Sequence, residues 1–336
     1  MQYIRPISIP QFNIYDIAHS DNNKLVIICP WVPNPPIIHY IPDLSSKTNS
    51  GFVPFELNIC PHAHTLIYTL ADLVQYTPVI NLQVNLFQIQ TQVNKYPIFN
   101  NEIILSTIVK NESNYVVPWI EFHNKLGISR FIIYDNSDED SLGLVLEPYI
   151  KNKLVTLIKW NYPYRLAISG ISGQTTQQNH SIYVFGTSKY IGLFDIDEYI
   201  NIQTNIKSID AFFSDLVSSY GLDLSKIGSF KILNKFFYNP DNLPTDGTKF
   251  LSIYNCDQIT EQGHEKNFVI PSNVQTFSVH MITSGKPMCL VPPTDIFFNH
   301  YYYLNKQDRG RNKTPYLDNS INKSICFNHL PKHIIN

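Results

Sequence analysis

The chain has 336 residues, 43% hydrophobic and only 15% charged, with a formal net charge of −2. That is ample for a large packed core, and it excludes the basic footprint expected of a nucleic-acid-binding surface. Five scattered cysteines (Cys29, Cys60, Cys256, Cys289 and Cys326) contain no Cys-x-x-Cys pair, which argues against a zinc ribbon and a disulfide framework.

The opening segment, MQYIRPISIPQFNIYD, is interrupted by Pro6 and Pro10 and lacks the apolar core of a signal peptide. No apolar run approaches the roughly 20 residues that span a bilayer. The expectation is a chain with no membrane span, with the cytoplasm as default compartment. From Lys24 to about Phe99, short apolar runs such as KLVIIC, FELNI and VNLFQIQTQV alternate or carry β-branched residues between many prolines. They show no helical period, so residues 1–100 read as a small β-rich module, available for ligand contact, for self-association, or simply to support the domain that follows.

The texture changes at Glu102. EIILSTIVK is a continuous apolar run of the buried parallel-strand type. NESNYVVPWIEFHNKLGIS follows as a helix, with Asn114 as its cap and Pro118 confined to its first turn. Val116, Trp119, Ile120 and His123 fall on one stripe, and Gly127 suits the C-terminal turn. SRFIIYDNS is a second strand, SLGLVLEPYIKNK a helix, LVTLIKW a third strand and KYIGLFDIDEYI a fourth. This alternation predicts an α/β domain over residues 101–336 with a mostly parallel, Rossmann-like sheet covered on both faces. Ligands bind such sheets at the carboxyl ends of the strands.

Polar clusters fall at those ends. Asp195 and Asp197 flank Ile196 after the fourth strand, and two carboxylates at i and i+2 repel unless a cation joins them. Hard oxygen ligands of this kind suit Mn²⁺ or Mg²⁺. His280 and His300, each after an apolar stretch, are candidates to complete the metal shell. Asn111 and Glu112 sit where a nucleotide meets a helix N-terminus. Asp135 and Asn136 are placed to hydrogen-bond a ribose or base. Lys266, Arg309 and Arg311 are candidate diphosphate contacts. Each cluster alone is also what an ordinary turn or cap uses; their convergence on one rim carries the reading. The 21 Tyr, 20 Phe and 3 Trp serve a core equally well as a sugar-stacking surface.

Four blocks carry a family resemblance. VKNESNYVVPWIEFHNKLGISRFIIYDNSDEDS, IGLFDIDEYI, EKNFVIPSNVQTFSVH and NHYYYLNKQDRGRNK, in order over residues 102–313, resemble the glycosyltransferase family 92 group and its glycosyltransferase-2-like relatives. The resemblance implies a GT-A fold, a UDP-sugar donor with galactose favoured, Mn²⁺, a glycan or other hydroxyl acceptor, and inversion at the anomeric carbon. It makes Asp195 and Asp197 the metal pair, places Asn111, Glu112 and Asp135 around the nucleotide, and makes His280 or His300 the late histidine near the metal. Trp119, Glu121 and His123 match its helix motif. Inversion requires one general base, for which Asp246 and Glu261 on the acceptor-side segment are candidates. Two rivals stand beside this: a sugar-binding protein of the same fold without turnover, and a haloacid-dehalogenase-like phosphatase. The phosphatase motif wants Thr or Val where Tyr199 stands.

Overall fold

The structure is a computed structural model that describes residues 2–4, 6–10, 12–20, 24–30, 32–42, 53–60, 65–70, 78–138, 141–164, 172–237, 255–256, 264–301, 316–317 and 321. Its centre is an eight-stranded sheet. The parallel run consists of β1 (Ile103–Val109), β2 (Arg130–Asp135), β3 (Val155–Lys159) and β4 (Tyr190–Leu193), in spatial order β3-β2-β1-β4. Beyond β3 the two-residue strand Gln2–Tyr3 adds in parallel. Beyond β4 lie β8 (Lys266–Val269), β6 (Ser229–Ile232) and β9 (Met288–Leu290), with β8 antiparallel to both its neighbours.

Alternation along the strands feeds two cores. Ile103 and Leu105 face the cluster that holds Trp119, Ile120 and Leu142. Ile104 faces the opposite cluster with Ile182, Val184 and Phe185. Helices α1 (Ser113–Lys125) and α2 (Ser141–Lys151) therefore cover one face, and α3 (Ser172–Val184) the other. The predicted stripe of α1 is buried at Val116, Trp119, Ile120 and His123. Its end is a Schellman turn: Gly127, at φ +90°, donates to the Asn124 carbonyl and Ile128 to that of His123.

Three expectations are corrected. The N-cap position of α1 is Glu112, whose side chain makes no capping hydrogen bond, rather than Asn114, and Pro118 lies beyond the first turn. Asn111 takes a left-handed φ of 56° and exchanges hydrogen bonds with Asp138, which starts the helix early. The hydrogen bond that Pro118 cannot donate would have gone to Asn114, a residue exposed to water. The fourth predicted strand is two strands. β4 ends at Leu193, the chain turns with Glu198 N–H donating to the Asp195 carbonyl, and β5 (Glu198–Ile202) joins a separate three-stranded sheet. That sheet pairs β5 with β10 (Ile296–His300), which also pairs with β7 (Asn234–Phe236). Phe194 and Ile196 are buried within the turn itself, so its apolar pattern imitates a continuous strand.

Helix α3, which no sequence pattern announced, has no apolar stripe, although every residue from Gln174 to Ser181 is buried. It lies between the central sheet and a five-stranded sheet that includes Leu25–Pro30 and Thr65–Leu70. Distant partners satisfy most of its polar groups: Thr176 meets Thr65 at 2.8 Å, and Asn179 donates to the Phe277 carbonyl while accepting from its N–H, whereas Gln178 Oε1 is buried without a donor among the described residues. His180 hydrogen-bonds to Tyr134 and to Asp16. A polar helix can be buried when most of its groups are paired in this way.

The described residues before position 100 form strands and no helix. A second, four-stranded sheet packs Ile38, Ile80, Leu82 and Val84 against Ile17, Ile27 and Leu66 of the five-stranded one. Cys29 is buried there as a free thiol. Among the described residues, no helix is long and apolar enough to cross a membrane.

Candidate active site

The strand order reverses beside β1: β2 and β3 lie to one side and β4 to the other. At such a switch point the loops leaving adjacent strands diverge and open a crevice at their carboxyl ends. A cleft of about 440 Å³ occupies that place. Lys110 and Glu112, after β1, line one wall; Asp195, Asp197 and Glu198, after β4, line the floor; Lys266, His280 and His300 come from the C-terminal part of the chain. A hollow of comparable size, about 470 Å³, is bordered by Ile98, Ile150 and Leu157, and its charged groups are Lys153 and the Arg130–Glu102 pair. Among the described residues, no group of metal-ligating side chains converges on it.

The turn between β4 and β5 sorts its carboxylates. Asp195 accepts from the Lys266 ammonium at 2.7 Å and from the Gln174 amide at 3.1 Å. Lys266, buried at the start of β8, also reaches Glu198 at 3.2 Å. Burial opposes the charge on Lys266, but Asp195 and Glu198 outweigh it and hold the ammonium above its ordinary pKa. Burial drives the Glu198 carboxyl well above the usual range; Lys266 opposes this, and Asp195 and Asp197 reinforce it.

Asp197, Glu198 and His300 form a group whose ligand atoms all lie within 4.8 Å of one another. His300 stands 3.6 Å from a carboxylate oxygen of each. Oε1 of Glu198 is buried and receives no hydrogen bond. A carboxyl oxygen left so, beside a second carboxylate and an imidazole, fits a divalent cation of the Mn²⁺ type, which would hold the group ionised.

The other candidates are placed as follows. His280 lines the cleft, with Nδ1 2.7 Å from the Glu265 carbonyl. Glu112 lines it too, whereas Asn111 ties the loop after β1 to Ser137 and Asp138. Asp135 is fully buried, paired to Lys159 at 3.0 Å. The Asn136 amide donates to the carbonyls of Trp160 and Tyr162. Asp246, Glu261, Arg309 and Arg311 lie outside the described residues. Glu198, Gln174, Tyr164 and His264 are cleft residues that the sequence reading left without a role. For Glu198 the signal was there: a carboxylate leading straight into the buried run YINI.

Trp119 and His123 act one layer behind. The Trp119 indole donates to the Glu198 carbonyl at 3.0 Å, and His123 Nε2 accepts from the Ile200 N–H. With Nε2 accepting and Nδ1 donating to the Trp119 carbonyl, the His123 ring is neutral, and burial lowers its pKa to about 3. A depressed value gives stability that is complete above the unfolded pKa of about 6.5 and lost as pH falls towards 3. In urea unfolding between pH 6.5 and 4.5, the wild type should lose about 1.4 kcal/mol per pH unit more than His123→Gln. Parallel slopes would remove this role from His123.

The family model for Glycosyltransferase family 92 matches residues 105–332. A glycosyltransferase family 92 protein of Ricinus communis is 24% identical over 214 residues, covering 60% of this chain and 35% of that protein. One from Arabidopsis thaliana is 24% identical over 172 residues, covering 49% and 28% respectively. The matched stretches thus span well under half the length of these relatives. Among solved structures, S. aureus TarS 1–349 aligns with a TM-score of 0.35 at 10% identity, over 59% of this chain and 60% of that one. With the family model matched over more than half of its length, this chain belongs to glycosyltransferase family 92.

Proposed function

We propose that the chain transfers a hexose, with galactose first choice, from a UDP-sugar to a hydroxyl of a glycan or similar acceptor, with inversion and with Mn²⁺ or Mg²⁺ as cofactor. The observation that carries this is the convergence of Asp197, Glu198 and His300 in a cleft at the sheet's switch point. These three would hold the ion, with Asp195 beside them through its pair with Lys266. A divalent ion there supplies charge neutralisation for the departing diphosphate. The chain's own residues prepare the place: Lys266 offsets two carboxylates that would otherwise repel, and Trp119 and His123 fix the backbone that presents Glu198. In the same GT-A reading, Asn111, Glu112, Asp135 and Asn136 border the nucleotide. Asp246 or Glu261 takes the acceptor proton, and residues 1–100 form a β-rich module that offers a surface for self-association.

A thermal-shift panel of UDP-, GDP- and CDP-sugars, each with and without Mn²⁺, tests the donor. Ligand at 100 times its Kd adds about 2.7 kcal/mol to the folded state. UDP-sugars should raise Tm, and only with the metal. A shift with none of them would leave the cleft without a nucleotide-sugar role. Binding without turnover in any acceptor screen would favour the binding-only alternative.

A further inference from the structure

One cleft residue is held by a backbone that its sequence does not favour. Strands Val274–Ser278 and Met281–Gly285 form a hairpin joined by two residues, Val279 and His280. Two-residue hairpin turns call for Gly, Asn or Asp where φ is positive. Here the position is filled by Val279 at φ 34°, an outlier for a β-branched residue. The His280 N–H donates back to the Ser278 carbonyl, closing a three-residue turn. Both carbonyls of the turn are pinned from other elements: Gln178 of α3 donates to that of Val279, and Asn267 of β8 to that of His280. Such outliers persist where the surroundings over-determine them, and they concentrate at ligand sites.

The tight turn delivers an imidazole of fixed tautomer. A carbonyl only accepts, so His280 Nδ1 carries the proton that meets the Glu265 oxygen at 2.7 Å. Burial and the neighbouring Lys266 charge keep the ring neutral by lowering its pKa. Nε2 is then a bare acceptor in a residue that lines the cleft, and among the described residues no hydrogen bond occupies it. His280 stands outside the group formed by Asp197, Glu198 and His300. The charged groups around it are Lys266, Asp195 and Glu265, with the His264 ring 6.1 Å away. A neutral acceptor beside a buried ammonium suits a neutral donor, and the hydroxyl of a sugar is that donor.

We infer that His280 is a recognition residue whose Nε2 accepts a hydrogen bond from a sugar hydroxyl bound in the cleft, rather than a ligand of the metal. The inference rests on reading this cleft as the sugar site. Imidazole ¹⁵N spectra of the full chain, assigned with His280→Gln, test it with four probes: Zn²⁺ alone, UDP with Mg²⁺, UDP-galactose with Mg²⁺, and free galactose. The ligand-free protein should show the Nδ1–H tautomer. Nε2 should stay put with Zn²⁺ and with UDP, and move with a probe that carries a sugar. Movement with UDP-galactose assigns the donor hydroxyl; movement with free galactose alone assigns the acceptor side. His280→Leu should weaken binding of the responding probe about tenfold, whereas His280→Gln, whose amide oxygen can still accept, should keep most of the affinity. A proton on Nε2, a response to Zn²⁺ alone, or silence with both sugars overturns the assignment. If free galactose moves Nε2 while no nucleotide sugar shifts Tm, the sugar site stands and the transferase reading falls.

Discussion

Asp197→Asn should lower metal-dependent transfer by at least about 10³-fold, because a metal's several kcal/mol of charge stabilisation at the leaving group is lost with its ligand. The fold should survive. Asp197 is one-fifth exposed on its side chain, asparagine has its shape, and the residue belongs to a turn rather than a ladder. Glu198→Gln is the informative partner. Burial already pushes this carboxyl towards its neutral form, so the amide should fold at least as well without metal while binding Mn²⁺ far more weakly. Opposite signs in stability and metal affinity are expected of a group held charged for function against its own desolvation. Mn²⁺ titration followed by donor turnover reads both. Wild-type Mn²⁺ affinity in both variants would remove Asp197 and Glu198 from the metal site.

What was legible in the sequence follows from how local each cause is. β1, β2 and β3 are continuous apolar runs, because a parallel strand is buried on both faces, and α1 announced itself by stripe and by Gly127. The rim of polar clusters was legible for the same reason: loops must follow strands. What failed depended on distant partners. Nothing within SGQTTQQNHSIYV says helix or core; its burial is licensed by Asp16, Thr65 and Phe277, which lie about a hundred residues or more away in the chain. The division of labour within DIDE was likewise invisible. Periodicity could bring Asp195 and Asp197 to one side, but it could not know that Lys266 would claim Asp195 and leave Glu198 beside Asp197 and His300. Asp135 shows the converse, since its polar signature reports a buried pair with Lys159 as well as a strand end.

Lys266→Met is expected to destabilise the chain by about 3–5 kcal/mol, the usual consequence of removing one partner from a buried ion pair. The reason is local. Lys266 is 2% exposed and reaches Asp195 at 2.7 Å and Glu198 at 3.2 Å. Without it, three carboxylates share one turn, and Glu198 is fully buried among them. The pH dependence fixes the cause. A carboxyl whose folded pKa is raised supports the fold below its unfolded value, about 4.3, and loses that support as pH climbs through the folded value. The deficit of Lys266→Met should therefore be largest near pH 8 and shrink towards pH 5. Adding Glu198→Gln should recover much of it at high pH, since the buried charge disappears with its partner. Mn²⁺ should also recover part of it, by binding the folded state alone. A deficit that ignores pH, metal and the second substitution would mean that Lys266 contributes by packing its alkyl chain, and that the site's charge balance is set elsewhere.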